Sequence, residues 1–241
     1  MNWIQPDWPL PARVHAATTL RSGGVSAGGY ASLNPAGHVD DDPGHVLTNR
    51  RIIKDMLKLP AEPVWLQQVH GVEVVKADRV QGLPIADASF TDQAGIVCAV
   101  LTADCLPVLF CGDDGAAVAA AHAGWRGLRA GIIEQTLSAM RCREVSVWLG
   151  PAIGPQNFEV GGEVRNAFVG DNPKAAQAFK DNGAGKWLAD IYRLARLQLT
   201  GLGIERIYGG GDCTVADARR FYSYRRDGAA TGRMVSLIWR D

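Results

Sequence analysis

Three apolar runs dominate the middle of the chain, at residues 96–101, 107–111 and 116–121. Runs of this length, closed by polar residues, predict strands buried on both faces. Further strands are predicted over 13–20, 63–66, 72–76, 145–149, 204–208 and 233–239. Helical spacing of apolar positions predicts helices over 128–140, 162–169, 173–180 and 187–200. Asp42-Pro43 opens another that runs to Lys58, because proline fits the first helical turn. The segment 21–29, with its four glycines, reads as a loop, and 150–155 as a turn closing the strand before it. Strands cluster early and helices late. This order does not alternate as a doubly wound sheet would, so the pattern predicts a mixed α+β protein. No repeat or linker interrupts it, and a single domain over 1–241 is expected.

Composition narrows the function classes. Hydrophobic residues make up 47 % of the 241 and charged residues 21 %, as in globular proteins. Lys plus Arg and Asp plus Glu both number 25, without the basic surplus of a nucleic-acid binder. No apolar run approaches the roughly 20 residues needed to span a membrane, so no membrane partner is expected. The first residues lack the basic and apolar regions of a signal peptide, which points to the cytoplasm. Five cysteines, an odd and sparse set, do not make a disulfide framework. Balanced charge and the lack of heptads suggest a monomer.

Two polar segments that close apolar runs carry the candidate chemistry. Asp104-Cys105 follows the first, and His122-Ala123-Gly124-Trp125-Arg126-Gly127 the third. Residues at strand ends project from a rigid scaffold into clefts. His122 is either a satisfied strand-end histidine or a ligand or base. Its Gly-rich turn with Arg126 can hold an anion. Cys105 is either structural or functional, and His70 sits in Gln68-Val69-His70-Gly71, near a turn. Together His70, Cys105 and His122 would form a three-ligand site with one open position, suited to catalytic zinc or, with an axial group, to copper. Without an H-x-H pair, a multicopper cluster lacks ligands. Asp104 is a candidate to orient a ligand from behind. The C-terminal cluster, Gly211-Asp212-Cys213-Thr214, Phe221 to Gly228 and Thr231-Gly232-Arg233, can stack on a base and hold phosphate, with Tyr224 and Arg225 as candidates, or form an ordinary solvated edge. Asn34 and Arg50 remain open between site and solvent.

The segments SLNPAGHVDDDP, WLQQVHG, ADAS, CAVLTADCLPVLF, AAAHAGWRG, WLGPAIGP, GGGDCT and FYSYRRDGAATGRM resemble the YfiH family, also called the laccase-domain or polyphenol-oxidase family. The likeness runs from about residue 15 to the C-terminus. It implies an α/β/β/α layered sandwich with mixed sheets, and zinc on His70, Cys105 and His122. It also implies phosphorolysis of adenosine, inosine, guanosine and methylthioadenosine to base and ribose 1-phosphate, with adenosine deamination. Arg50, Gln68 and Arg126 fall at pocket positions of the family. The chain departs from many members where Gln156-Asn157 replaces two cysteines. Three other readings compete: a copper phenol oxidase, a metal-free Cys105–His122 hydrolase or amidase acting on peptidoglycan precursors, and a metabolite-sensing module.

Overall fold

The computed structural model describes residues 2–112 and 114–241. In chain order the first elements are β1 (Trp3–Ile4), β2 (Val14–Thr19), α1 (Pro43–Leu57), β3 (Val74–Lys76) and β4 (Ala88–Thr91). The predicted apolar runs follow as β5 (Val97–Thr102), β6 (Leu106–Gly112) and β7 (Val118–Ala123). Next come α2 (Trp125–Ala130), α3 (Ile132–Met140), β8 (Val145–Leu149), β9 (Glu159–Gly161) and α4 (Gly162–Asp171). The last are β10 (Phe179–Asp181), β11 (Lys186–Ala189), α5 (Ile191–Gly201), β12 (Ile207–Gly209), α6 (Tyr224–Asp227) and β13 (Met234–Arg240).

Two sheets form the frame. One is antiparallel, in the order β1-β2-β13-β5; the other is mixed, in the order β12-β8-β6-β7-β4-β3, with its parallel pairs at both edges. Side-chain alternation explains why β5 is apolar throughout. Val97, Ala99 and Leu101 pack with Ile53 of α1, while Cys98 and Val100 pack with Leu109, Cys111, Val118 and Ala120 of the second sheet. Leu106, Val108 and Phe110 of β6 face the other way, onto Leu128, Ile132 and Ile133 and onto Ile191 and Leu194 of α5. The layers are therefore α1, first sheet, second sheet, then α2 to α5, giving a mixed α+β fold with mixed sheets. Full burial of an aliphatic side chain is worth about 1.5–3 kcal/mol, so these interfaces hold the frame that carries the site.

Local chemistry sets several boundaries. Asp42 caps α1 by accepting from the His45 amide at 2.9 Å. The predicted helix over 128–140 is broken at Gly131, whose φ of +97° ends α2 and starts α3. The segment predicted as a helix over 173–180 is a 3-10 turn, Pro173–Ala178, that leads into β10. Trp187, the predicted helix start, lies in β11; α5 begins at Ile191, where the Asp190 carboxylate accepts from the Arg193 amide at 2.9 Å. The strand predicted over 63–66 makes only an isolated bridge, Val64 to Cys98. A third sheet, β10-β11-β9, escaped the pattern because its strands have three or four residues, too few to show alternation. No helix among the described residues is long and apolar enough to cross a membrane.

Candidate active site

The chain crosses from the first sheet to the second through Ala103-Asp104-Cys105, between β5 and β6. Asp104 takes a φ of +87°, which tightens the crossing and places Cys105 at the rim of both sheets. His122 is the penultimate residue of β7, beside β6. His70 lies in the turn before β3 with a φ of +61°. These three side chains converge: their ligand atoms all lie within 4.8 Å of one another, and Cys105 Sγ is 3.7 Å from His70 Nε2. Gly124 leaves the room this requires, since a Cβ there would stand 2.7 Å from His70 Cδ2 and 2.9 Å from Cys105 Sγ.

Asp87, fully buried just before β4, organises both histidines. Its carboxylate accepts from His122 Nδ1 at 2.8 Å and from the amides of Val69, His70 and Gly71 at 3.1, 2.9 and 2.7 Å. It thereby stabilises the left-handed turn of His70, and it fixes His122 so that Nε2 is the nitrogen turned away from the carboxylate. Burial pushes the Asp87 carboxyl up, but the His122 ring and the turn amides outweigh it and hold the group below its ordinary value. Burial likewise opposes charge on Cys105 and His122, yet each favours the ionised form of the other. The thiol falls to about 6 and the imidazole, helped by Asp87, rises to about 9. A thiolate and two oriented imidazoles, close enough to meet at one centre and with no fourth protein ligand in the group, suit zinc with an open position.

Beside this triad lies a cavity of about 580 Å³. Its walls combine the apolar Leu101, Ile153 and Ile191, the rings of Trp125, Phe158 and Tyr224, and the cations Arg126, Arg225 and Arg233, with His38 also present. Arg126 is exposed and stacks on Trp125 at 4.5 Å. Arg225 donates to the Glu159 carbonyl at 3.0 Å and lies over Phe158. Gln68 reaches the wall, but its amide is engaged with both the carbonyl and the N–H of Leu101, each at 2.8 Å.

Three predicted residues act elsewhere. Asn34 is fully buried and lies behind the wall. Arg50 stacks on Trp65 at 4.1 Å and donates to the Pro35 carbonyl at 2.9 Å, outside the cavity lining. Asp104 does not orient a ligand histidine. Its carboxylate accepts from Thr214, from the Ser223 hydroxyl at 3.0 Å and from the Arg225 amide at 2.6 Å, tying the crossing loop to α6. The carboxylate behind His122 is Asp87, which sequence reasoning missed; its signal is a lone acid within the apolar stretch Ile85 to Phe90. His38 was missed as well, whereas Arg233, read in the C-terminal cluster, does border the cavity. Gln156 is exposed and Asn157 donates to Cys213 Sγ at 3.3 Å, so neither occupies a triad position.

Comparison with known proteins agrees with this geometry. The sequence pattern of the family described as multi-copper polyphenol oxidoreductase laccase matches residues 15–241. The chain is 54 % identical to a purine nucleoside phosphorylase of Pseudomonas aeruginosa over 240 residues, covering 98 % of each. It is 52 % identical to the purine nucleoside phosphorylase YfiH of Escherichia coli, again covering 98 % of each. A crystal structure of a Neisseria meningitidis protein superposes with a TM-score of 0.96 at 51 % identity, covering all of both chains. The structure of YlmD from Geobacillus stearothermophilus gives 0.93 at 33 % identity, covering 100 % of this chain and 96 % of that one.

Proposed function

The chain belongs to the laccase-domain family that includes the YfiH-type purine nucleoside phosphorylases, and on that premise we propose that it is a metal-dependent purine nucleoside phosphorylase. The observation that carries this reading is the wall of the cavity beside the triad. Aromatic rings and apolar side chains there suit a purine, and three guanidinium groups with no carboxylate ion pair among the described residues suit phosphate. A volume of about 580 Å³ lies within the range of small-molecule sites.

In phosphorolysis a phosphate oxygen bonds to C1′ of the ribose, and the bond from C1′ to the purine nitrogen breaks. The base leaves with the electron pair and takes up a proton. Trp125, Phe158 and Tyr224 hold the base, while the guanidinium groups of the cavity give the anion a positive surround. Leu101, Ile153 and Ile191 keep water from the reacting carbon. His70, Cys105 and His122 would hold zinc, which supplies Lewis acidity and extends the proposal to deamination of adenosine. The free thiols of Cys98, Cys105 and Cys213 support a reducing, cytoplasmic setting.

Incubating the zinc-loaded protein with inosine or adenosine and phosphate, then separating products by chromatography, tests the reading. Ribose 1-phosphate with an equal amount of free base is expected. Absence of both, with zinc bound, overturns it.

One observation favours a second reading. Asp87, His122 and Cys105 align as acid, base and thiol, the order of a cysteine hydrolase. That enzyme would keep its activity after a chelator strips the metal. A multicopper oxidase finds less support, because among the described residues the His/Cys/Asp/Glu groups yield this one metal position.

A further inference from the structure

Of the three guanidinium groups in the cavity, Arg233 has the most unusual setting. It precedes β13, is half-buried, and borders the cavity. Its Nη1 donates to the carbonyls of Thr231 and Gly232 at 2.7 and 3.0 Å. Both acceptors are neutral, and the side chain makes no ion pair among the described residues. Cys105 and Asp104 offset its charge only from beyond contact; a half-buried guanidinium with no anion in contact favours an anionic ligand.

The position is built from behind. The fully buried Asn34 accepts from the Arg233 amide at 3.0 Å and from the Ala36 amide at 3.1 Å. Its Nδ2 donates to Asp41 at 2.8 Å and to the Ala36 carbonyl at 3.3 Å. Ala36 stands two residues before His38, which borders the same cavity. One buried amide thus fixes the backbone on both sides of a cation and an imidazole. Arg126 and Arg225 differ: both are exposed and lie against aromatic rings that the scheme assigns to the base.

We infer that Arg233 and His38 form the phosphate subsite of the cavity, held in place by Asn34. That the anion is inorganic phosphate rests on the phosphorolysis reading; that an anion belongs at Arg233 does not. Calorimetric binding of inorganic phosphate alone, and the phosphate KM where turnover occurs, test it in wild type, Arg233→Gln, Arg233→Lys and Arg126→Gln. Arg233→Gln should weaken phosphate about 10- to 100-fold, as loss of a charge-assisted hydrogen bond does, with the KM for inosine within about twofold of wild type. Arg233→Lys keeps the charge without the fork and should fall between; it carries the test if the glutamine variant does not fold. Unchanged phosphate affinity in both Arg233 variants, with the loss in Arg126→Gln instead, overturns the subsite. Phosphate binding that depends on Arg233 in a wild-type protein that makes no ribose 1-phosphate upholds the subsite and removes the phosphorylase.

Discussion

Two buried aspartates sit beside the same triad and do different work. Asp87 gathers four N–H donors, one from a ligand histidine and three from the turn that carries the other. Asp104, next to Cys105, gathers two hydroxyls and one amide from Thr214, Ser223 and Arg225. The first carboxylate meets a ring that can share its proton and charge. The second meets neutral donors on a distant segment. Asp87 therefore fixes the atoms that would bind metal, and Asp104 fixes the wall on which Tyr224 and Arg225 line the cavity. Identical chemistry on two sides of one ligand set is divided by what each carboxylate can reach.

The largest effect should come from the triad itself. Cys105→Ala should abolish stoichiometric metal binding and lower phosphorolysis by more than the roughly 10- to 100-fold typical of outer partners, as read by elemental analysis and product assay. Asp87→Asn should weaken metal binding by about 10- to 100-fold in competition with a chelator. Asp104→Asn should leave that affinity unchanged, raise the nucleoside KM, and lower stability by about 1–3 kcal/mol in denaturant unfolding. Equal loss of metal affinity in both variants would break the division of labour.

The proton balance sharpens the same comparison. The free thiol titrates at about 6 and the His122 imidazole at about 9, so between these values the pair holds about one proton. Metal binding requires thiolate and neutral imidazole, and must expel that proton. Metal affinity should thus fall as pH drops from 9 toward 6, by about tenfold per unit, and more steeply below 6. Titrations in buffers of different ionisation heat should register release of about one proton near pH 7.5. Asp87 gives the opposite edge. Its folded value is depressed, so its stabilisation is complete above the unfolded carboxyl value near 4 and is lost as pH falls through the folded value. Asp87→Asn should flatten the acid limb of the stability curve. Smallest of all, Arg50→Ala should cost about 0.5–1 kcal/mol from lost stacking on Trp65, with the phosphate KM unchanged.

The frame and the triad were legible in the sequence for different reasons. The three central apolar runs became β5, β6 and β7 because strands buried on both faces show no alternation to misread. Cys105 and His122 stood out as reactive residues at the ends of such runs, and the resemblance joined His70, read near a turn, to them. Their convergence was not legible from spacing: Cys105 reaches the others because the chain changes sheets at Asp104, a tertiary event. Asp87 was overlooked because a carboxylate saturated by backbone amides leaves only a lone acid in an apolar stretch. Arg50 was placed with the site by resemblance and Asn34 was left open between site and solvent; packing turns Arg50 onto Trp65 and puts Asn34 behind Arg233. Charged residues on loops carry no periodicity that tells cavity from support.

On the proposed reading, the Asp87-anchored triad would hold the metal on which nucleoside phosphorolysis depends. The most direct test titrates zinc into chelator-stripped protein while following ribose 1-phosphate formed from inosine and phosphate. Activity should rise linearly and saturate at about one equivalent, with Cys105→Ala inactive throughout. Full activity in the stripped protein, lost only in Cys105→Ala, would contradict the claim and assign the site to thiol chemistry.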